Sequence, residues 1–147
     1  MFTAIDHVGI AVPDLDAAKE FYRARFGMHV VHEEVNEEQG VREAMLAVGG
    51  SGSYIQLLAP LTPTSTIAKF LDTRGPGIQQ LAYRVEDLDA VCAVLRERGT
   101  RLLYDQPTRS QALARQFAYA DQVRALPDTP TVFSETLEHI GMGMVVT

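Results

Sequence analysis

The feature that most limits how this chain can fold is an internal repeat. Residues 6–17 read DHVGIAVPDLDA and residues 79–90 read QQLAYRVEDLDA. At one constant offset Val12 meets Val85, Asp14 meets Asp87, Leu15 meets Leu88, Asp16 meets Asp89 and Ala17 meets Ala90. His7 falls opposite Gln80. The tetrapeptide DLDA alone would carry little weight. A matching strand, turn and helix around it, continuing to Phe26-Gly27 and Arg98-Gly99, marks a duplicated supersecondary unit.

Each copy opens with a β-type stretch, 3–12 and 77–85, rich in Ile, Val, Leu and Tyr. Pro13 disfavours helix before it, and Asp14 and Asp87 are placed to cap the helices that follow. Asp16 and Asp89 put negative charge in the first turn, where the helix dipole favours it. A helix over 15–26 aligns Leu15, Ala18, Phe21, Tyr22 and Phe26 as an apolar stripe; one over 88–98 aligns Leu88, Val91, Cys92 and Leu95. Gly27 and Gly99 end them. Strands follow at 28–34, 39–48 and 52–59, with turns at 36–40 and 49–52. Residues 61–76 read as a linker with a short helix from Thr66 to Leu71. The second copy then offers strands at 100–105, 115–120 and 131–137. The tail HIGMGMVVT either extends the last strand or packs as a separate segment. The expectation is an α+β fold: two tandem βαβββ modules, 1–60 and 77–147, forming a curved mixed sheet around a cleft.

Composition removes several function classes. A net charge of −6 argues against a nucleic-acid surface or an anionic membrane. Arg42, Arg84 and Arg109 are nevertheless candidates for a local positive patch. The single cysteine, Cys92, excludes an internal disulfide framework and reads as a small core residue rather than a nucleophile. No basic leader or membrane-length apolar run is visible, so a cytoplasmic protein is expected. Phosphate-loop, zinc, serine-elbow and CxxC motifs are absent.

Strand alternation sets His7, Gly9 and Ala11 on one face of the first strand, with Val8, Ile10 and Val12 on the face toward the helix. His7 is then either a satisfied structural histidine or a ligand or base in the cleft. Gln56, inside SYIQLL, needs buried partners, a ligand or a wet cleft. Glu43, in QGVREAML, shares a face with Met45 and Ala47. If buried there it would have the raised pKa that a proton-abstracting base requires; otherwise it is a solvated edge residue. Glu135 lies in the last strand and, by order in the repeat, corresponds to Gln56; Glu138 and His139 compete with it. His7, Gln56, Gln80 and Glu135 together offer mixed nitrogen and oxygen donors to a divalent cation.

The runs IDHVGIAVPDLDAAKEFY, NEEQGVREAML, SYIQLLAPL, STIAKFL, GPGIQQLAYRVEDLDAV and LRERGTRLLYDQP resemble the vicinal oxygen chelate superfamily and, within it, the methylmalonyl-CoA epimerases. The likeness covers about residues 1–107. It implies paired βαβββ modules cupping a divalent metal, Co2+ or Mn2+, and an acyl thioester substrate whose enolate the metal stabilises. It also implies a homodimer. Carried onto this sequence, His7 and Gln56 look like metal ligands and Glu43 like a catalytic base. Glu135 looks like the terminal-strand carboxylate, both ligand and second acid/base group. Two departures stand out. Gln79-Gln80 replaces the family's His-His, whose second member is a ligand, and the glycine-rich run and His-Pro-Lys turn before the last strand are missing. Three functions fit: epimerisation of methylmalonyl-CoA or a related acyl-CoA, an isomerase or lyase reaction in a specialised biosynthetic pathway, or non-catalytic small-molecule binding or resistance.

Overall fold

The computed structural model describes residues 1–102, 132–137 and 142–146. Its elements are β1 (Phe2–Ala11), α1 (Leu15–Phe26), β2 (Val30–Asn36), β3 (Val41–Ala47), β4 (Tyr54–Pro60), α2 (Thr66–Arg74), β5 (Gly77–Val85), α3 (Leu88–Glu97), β6 (Val132–Leu137) and β7 (Met142–Val146). Backbone contacts divide the chain into two compact units, 7–79 and 1–6 with 80–147.

In the first unit the strand order is β2-β3-β4-β1. β2, β3 and β4 form an antiparallel meander, and β1 joins β4 in parallel. One face of this sheet is covered by α1: Val12, Leu15, Ala44, Leu46, Leu57 and Ala59 form a buried cluster, with Ile10 and Tyr22 packed on it. The Asp14 side chain accepts from the Ala17 amide at 2.9 Å, satisfying a donor that the helix itself cannot. Gly27 closes the helix in the left-handed region, φ 66°, which a residue without Cβ enters at no steric penalty. The expected apolar stripe is only partly buried. Phe21 and Phe26 are 52% and 62% exposed. Their rings meet Tyr22 and each other at the surface instead of entering the core.

The opposite face carries α2, which runs three residues further than the sequence suggests. Its Ile67 packs against Ala11, Val41 and Leu58, with Phe70 and Leu71 alongside. The turn over 37–40 docks on the segment leading into α2. Leu61 donates to the Gly40 carbonyl at 2.7 Å, and a Cβ on Gly40 (φ 65°) would lie 2.8 Å from Thr62 Oγ1. That close approach fixes where β3 begins.

The second unit holds the strand order β1-β5-β7-β6. β7 runs parallel to β5 and antiparallel to β6. Asp87 caps α3 through the Ala90 amide at 2.9 Å, and Val85, Leu88, Val91, Cys92 and Leu95 form its core. Cys92 is a free, buried core residue, as its place on the stripe predicts. Arg84 is engaged by Asp6 at 2.7 Å and Thr3 donates to the Arg84 carbonyl, so this guanidinium is balanced rather than part of a positive patch. The tail supplies a strand of its own, β7. The expected strand at 115–120 and the second half of that at 100–105 lie outside the described residues, as does Arg109. No described helix is long and apolar enough to cross a membrane.

Candidate active site

The candidate chemistry of the first unit lies on the sheet face against which α2 packs. Register explains how it assembles. His7, Gly9 and Ala11 of β1 pair with Tyr54, Gln56 and Leu58 of β4. Gln56 and Leu58 pair in turn with Met45 and Glu43 of β3. Alternate residues share a face, so His7, Gln56 and Glu43 point the same way. Gly9, opposite Gln56, contributes no side chain to that row. All three polar residues are buried, with exposures of 2% for His7, 5% for Gln56 and 4% for Glu43.

Gln56 Nε2 donates to Glu43 Oε2 at 2.7 Å, along a diagonal across β3 and β4. Glu43 Oε1 is buried without a hydrogen-bond partner among the described residues. A carboxylate so placed, between Leu58 opposite and Met45 on the same strand, is poorly solvated. Burial, with the negative charge of Glu34 second, pushes its pKa up to about 7, and the Gln56 hydrogen bond opposes the rise. The solvated-edge alternative for Glu43 therefore falls. Arg42, one residue earlier, points to the other face, where it lies 3.4 Å from both Asp16 and Glu33.

Glu34 and His32 were not among the residues singled out from sequence. Glu34 pairs directly with Glu43, and His32 with Met45, which puts both on the site's face. Their side chains meet at 3.2 Å. The turn at 37–40 held the clue: it pairs Asn36 with Val41, and counting back by twos reaches Glu34 and Glu43.

Gln80 sits half-buried on β5 in the second unit, paired in register with Gly143. Glu135 lies on β6, within an irregularity of the β6–β7 register between Ser134 and Leu137. Its strand is not the one that pairs with β5. The residue in register with Ala82, as Gln56 is with Gly9, is Val145, so the proposed correspondence of Glu135 with Gln56 does not hold in this topology. Glu138 and His139 lie outside the described residues. Among those described, no three His, Cys, Asp or Glu side chains gather as a metal cluster.

The profile of the glyoxalase/bleomycin resistance protein/dioxygenase superfamily matches residues 6–119. The chain belongs to that superfamily. The Cereibacter sphaeroides ethylmalonyl-CoA/methylmalonyl-CoA epimerase is 38% identical over 104 residues, 70% of this chain and 76% of the relative. A Mycobacterium tuberculosis methylmalonyl-CoA epimerase structure is 48% identical, with a TM-score of 0.80, covering 99% of this chain and 87% of that one. A glutamate-to-glutamine variant of the Streptomyces coelicolor enzyme, in complex with 2-nitronate-propionyl-CoA, is 38% identical with a TM-score of 0.77, covering 100% and 99%. The kinship is with enzymes of the epimerase class, and this superfamily member is an isomerase-class enzyme with the expected α+β vicinal oxygen chelate fold. The match leaves residues 120–147 beyond the family profile.

Proposed function

We propose that the chain epimerises methylmalonyl-CoA or a related acyl-CoA, removing the α-proton and delivering a proton to the opposite face of the resulting enolate. The observation that carries this reading is Glu43. It is buried, one oxygen is held by Gln56, the other is unpartnered among the described residues, and its pKa is about 7. A base poised near the working pH is what abstraction of a weakly acidic α-proton needs. Gln56 fixes Oε2, so Oε1 is the atom assigned to take the proton. Glu135 is assigned as the second acid/base group, which would enter the reaction protonated and deliver its own proton to the other face while Glu43 keeps the one it took. Epimerase kinship at 38% to 48% identity supports the substrate class.

The superfamily implies a divalent metal, and the donor chemistry fits one in part. His7 and Gln56 are buried on one face of adjacent strands, with an imidazole nitrogen and an amide oxygen to offer. With Gln80 and Glu135 they would hold Co2+ or Mn2+, which when bound favours negative charge on the thioester oxygen. Gln80 supplies a neutral amide where the family has a histidine, which weakens the set. That substitution, and the stretch beyond the family match, favour a second reading: another superfamily reaction on a related carbonyl compound. A homodimer and a cytoplasmic location accompany the first reading.

The test is α-proton exchange of methylmalonyl-CoA in deuterated water, with Co2+ or Mn2+ supplied and with a chelated control. Metal-dependent exchange is expected. Folded protein that exchanges nothing would overturn the epimerase reading and favour the second.

A further inference from the structure

Two carboxylates face each other across β2 and β3. Glu34 and Glu43 are direct cross-strand partners, a relation that places Cβ atoms roughly 5 Å apart and sets like charges against each other. Solvent does little to screen them: the Glu34 side chain is 9% exposed and Glu43 is buried. Each is anchored in a different direction. Glu34 Oε2 lies 3.2 Å from His32 Nε2, two residues back on its own strand. Glu43 Oε2 accepts from Gln56 on β4, on the far side.

We propose that Glu34, held by His32, is a positioning residue for Glu43. Its charge presses the Glu43 carboxylate toward Gln56 and keeps Oε1 clear of a partner on the β2 side. This rests on Glu43 being the base. It adds that the base's orientation is set from the neighbouring strand as well as by Gln56. An amide at position 34 would remove the repulsion and offer Oε1 an N–H donor, capturing the oxygen assigned to the proton.

The experiment reads the geometry without relying on turnover. Side-chain amide hydrogen exchange of Gln56 is followed by NMR in wild-type, Glu34→Gln and Glu34→Asp proteins, the signal being assigned by its loss in Gln56→Ala. Glu34→Gln is expected to speed that exchange about tenfold as the Glu43–Gln56 bond loosens, while Glu34→Asp, which keeps the charge, stays protected. In parallel, kcat for α-proton exchange should fall about tenfold in Glu34→Gln with KM unchanged, and recover in Glu34→Asp. Gln56 protection equal to wild type in Glu34→Gln overturns the proposal, as does a raised KM with unchanged kcat. Should Glu34→Gln fail to fold, His32→Asn takes its place. That variant releases Glu34 and should speed Gln56 exchange likewise; unchanged protection there also overturns the proposal. A wild-type protein that turns over no acyl-CoA would remove the proposed function, and the NMR result would still decide the positioning role.

Discussion

Asp14 and Asp87 do one job with one geometry, whereas His7 and Gln80, on the strands just before them, do not carry the same chemistry. The two caps share an extended backbone, φ −137° and ψ 114° against φ −136° and ψ 107°. Each accepts from the amide three residues on at 2.9 Å. Val12 and Leu15 are matched in their own core by Val85 and Leu88. On the other face of the repeat the likeness ends. The first unit sets a buried histidine and a hydrogen-bonded Gln56–Glu43 pair on adjacent strands, while the second places a half-buried glutamine on β5 and Val145 at the register position of Gln56. Caps and helix-facing residues are what a βα unit needs to exist at all, so both copies keep them. The opposite face is free to differ, and on that face the first unit carries a carboxyl group whose pKa burial raises, Glu43.

The sharpest way to break this contrast is Glu43→Gln. Loss of a positioned base is expected to slow α-proton exchange about 10²- to 10⁴-fold with the fold intact, checked by exchange rate and circular dichroism. Unchanged exchange would remove Glu43 from the mechanism.

The same substitution should act on stability with the opposite sign. A carboxyl raised from 4.5 to about 7 binds its proton more tightly in the folded state. Folding is therefore increasingly disfavoured as pH rises from about 4.5 to about 7, and the penalty levels off above that, near about 3 kcal/mol. Glu43→Gln should be the more stable protein above neutrality and lose the advantage below about pH 4.5. Urea titrations at several pH values would show it.

Gln80→His probes the second unit. If Gln80 is a ligand, an imidazole there should tighten Co2+ or Mn2+ about tenfold in a direct titration, about 1.4 kcal/mol. Unchanged affinity would place Gln80 outside the ligand set. The smallest effect sharpens the likeness: Asp14→Ala and Asp87→Ala should each lower stability by about 1 kcal/mol, and by similar amounts. A large inequality would mean that the two caps are not equivalent.

Much of this was readable in the sequence, for definite reasons. The caps, the 15–26 helix and the α3 stripe follow from local periodicity, which needs no partner strand. The burial of Glu43 was readable only as one of two alternatives, because alternation assigns a face but not what covers it. Glu34 and His32 were missed because their role depends on hairpin register, which links residues through a turn rather than through spacing along one strand. Phe21 and Phe26 satisfy a helical stripe on paper. The core, however, takes Leu15, with Ala18 and Tyr22 packed against it, and leaves those two rings in mutual contact at the surface. Val145 in place of a Gln56 counterpart was unreadable because the tail, with Gly141 and Gly143, was open both to extending the last strand and to packing as a separate segment.

The central claim is that a buried Glu43 serves as the base. The pH dependence of α-proton exchange by the wild-type protein tests it most directly. The rate should climb as pH rises and level off with a midpoint near about 7, where the Glu43 carboxyl gives up its proton. A midpoint near 4.5, the ordinary value for a solvated glutamate, would contradict it, as would a rate independent of pH across that range.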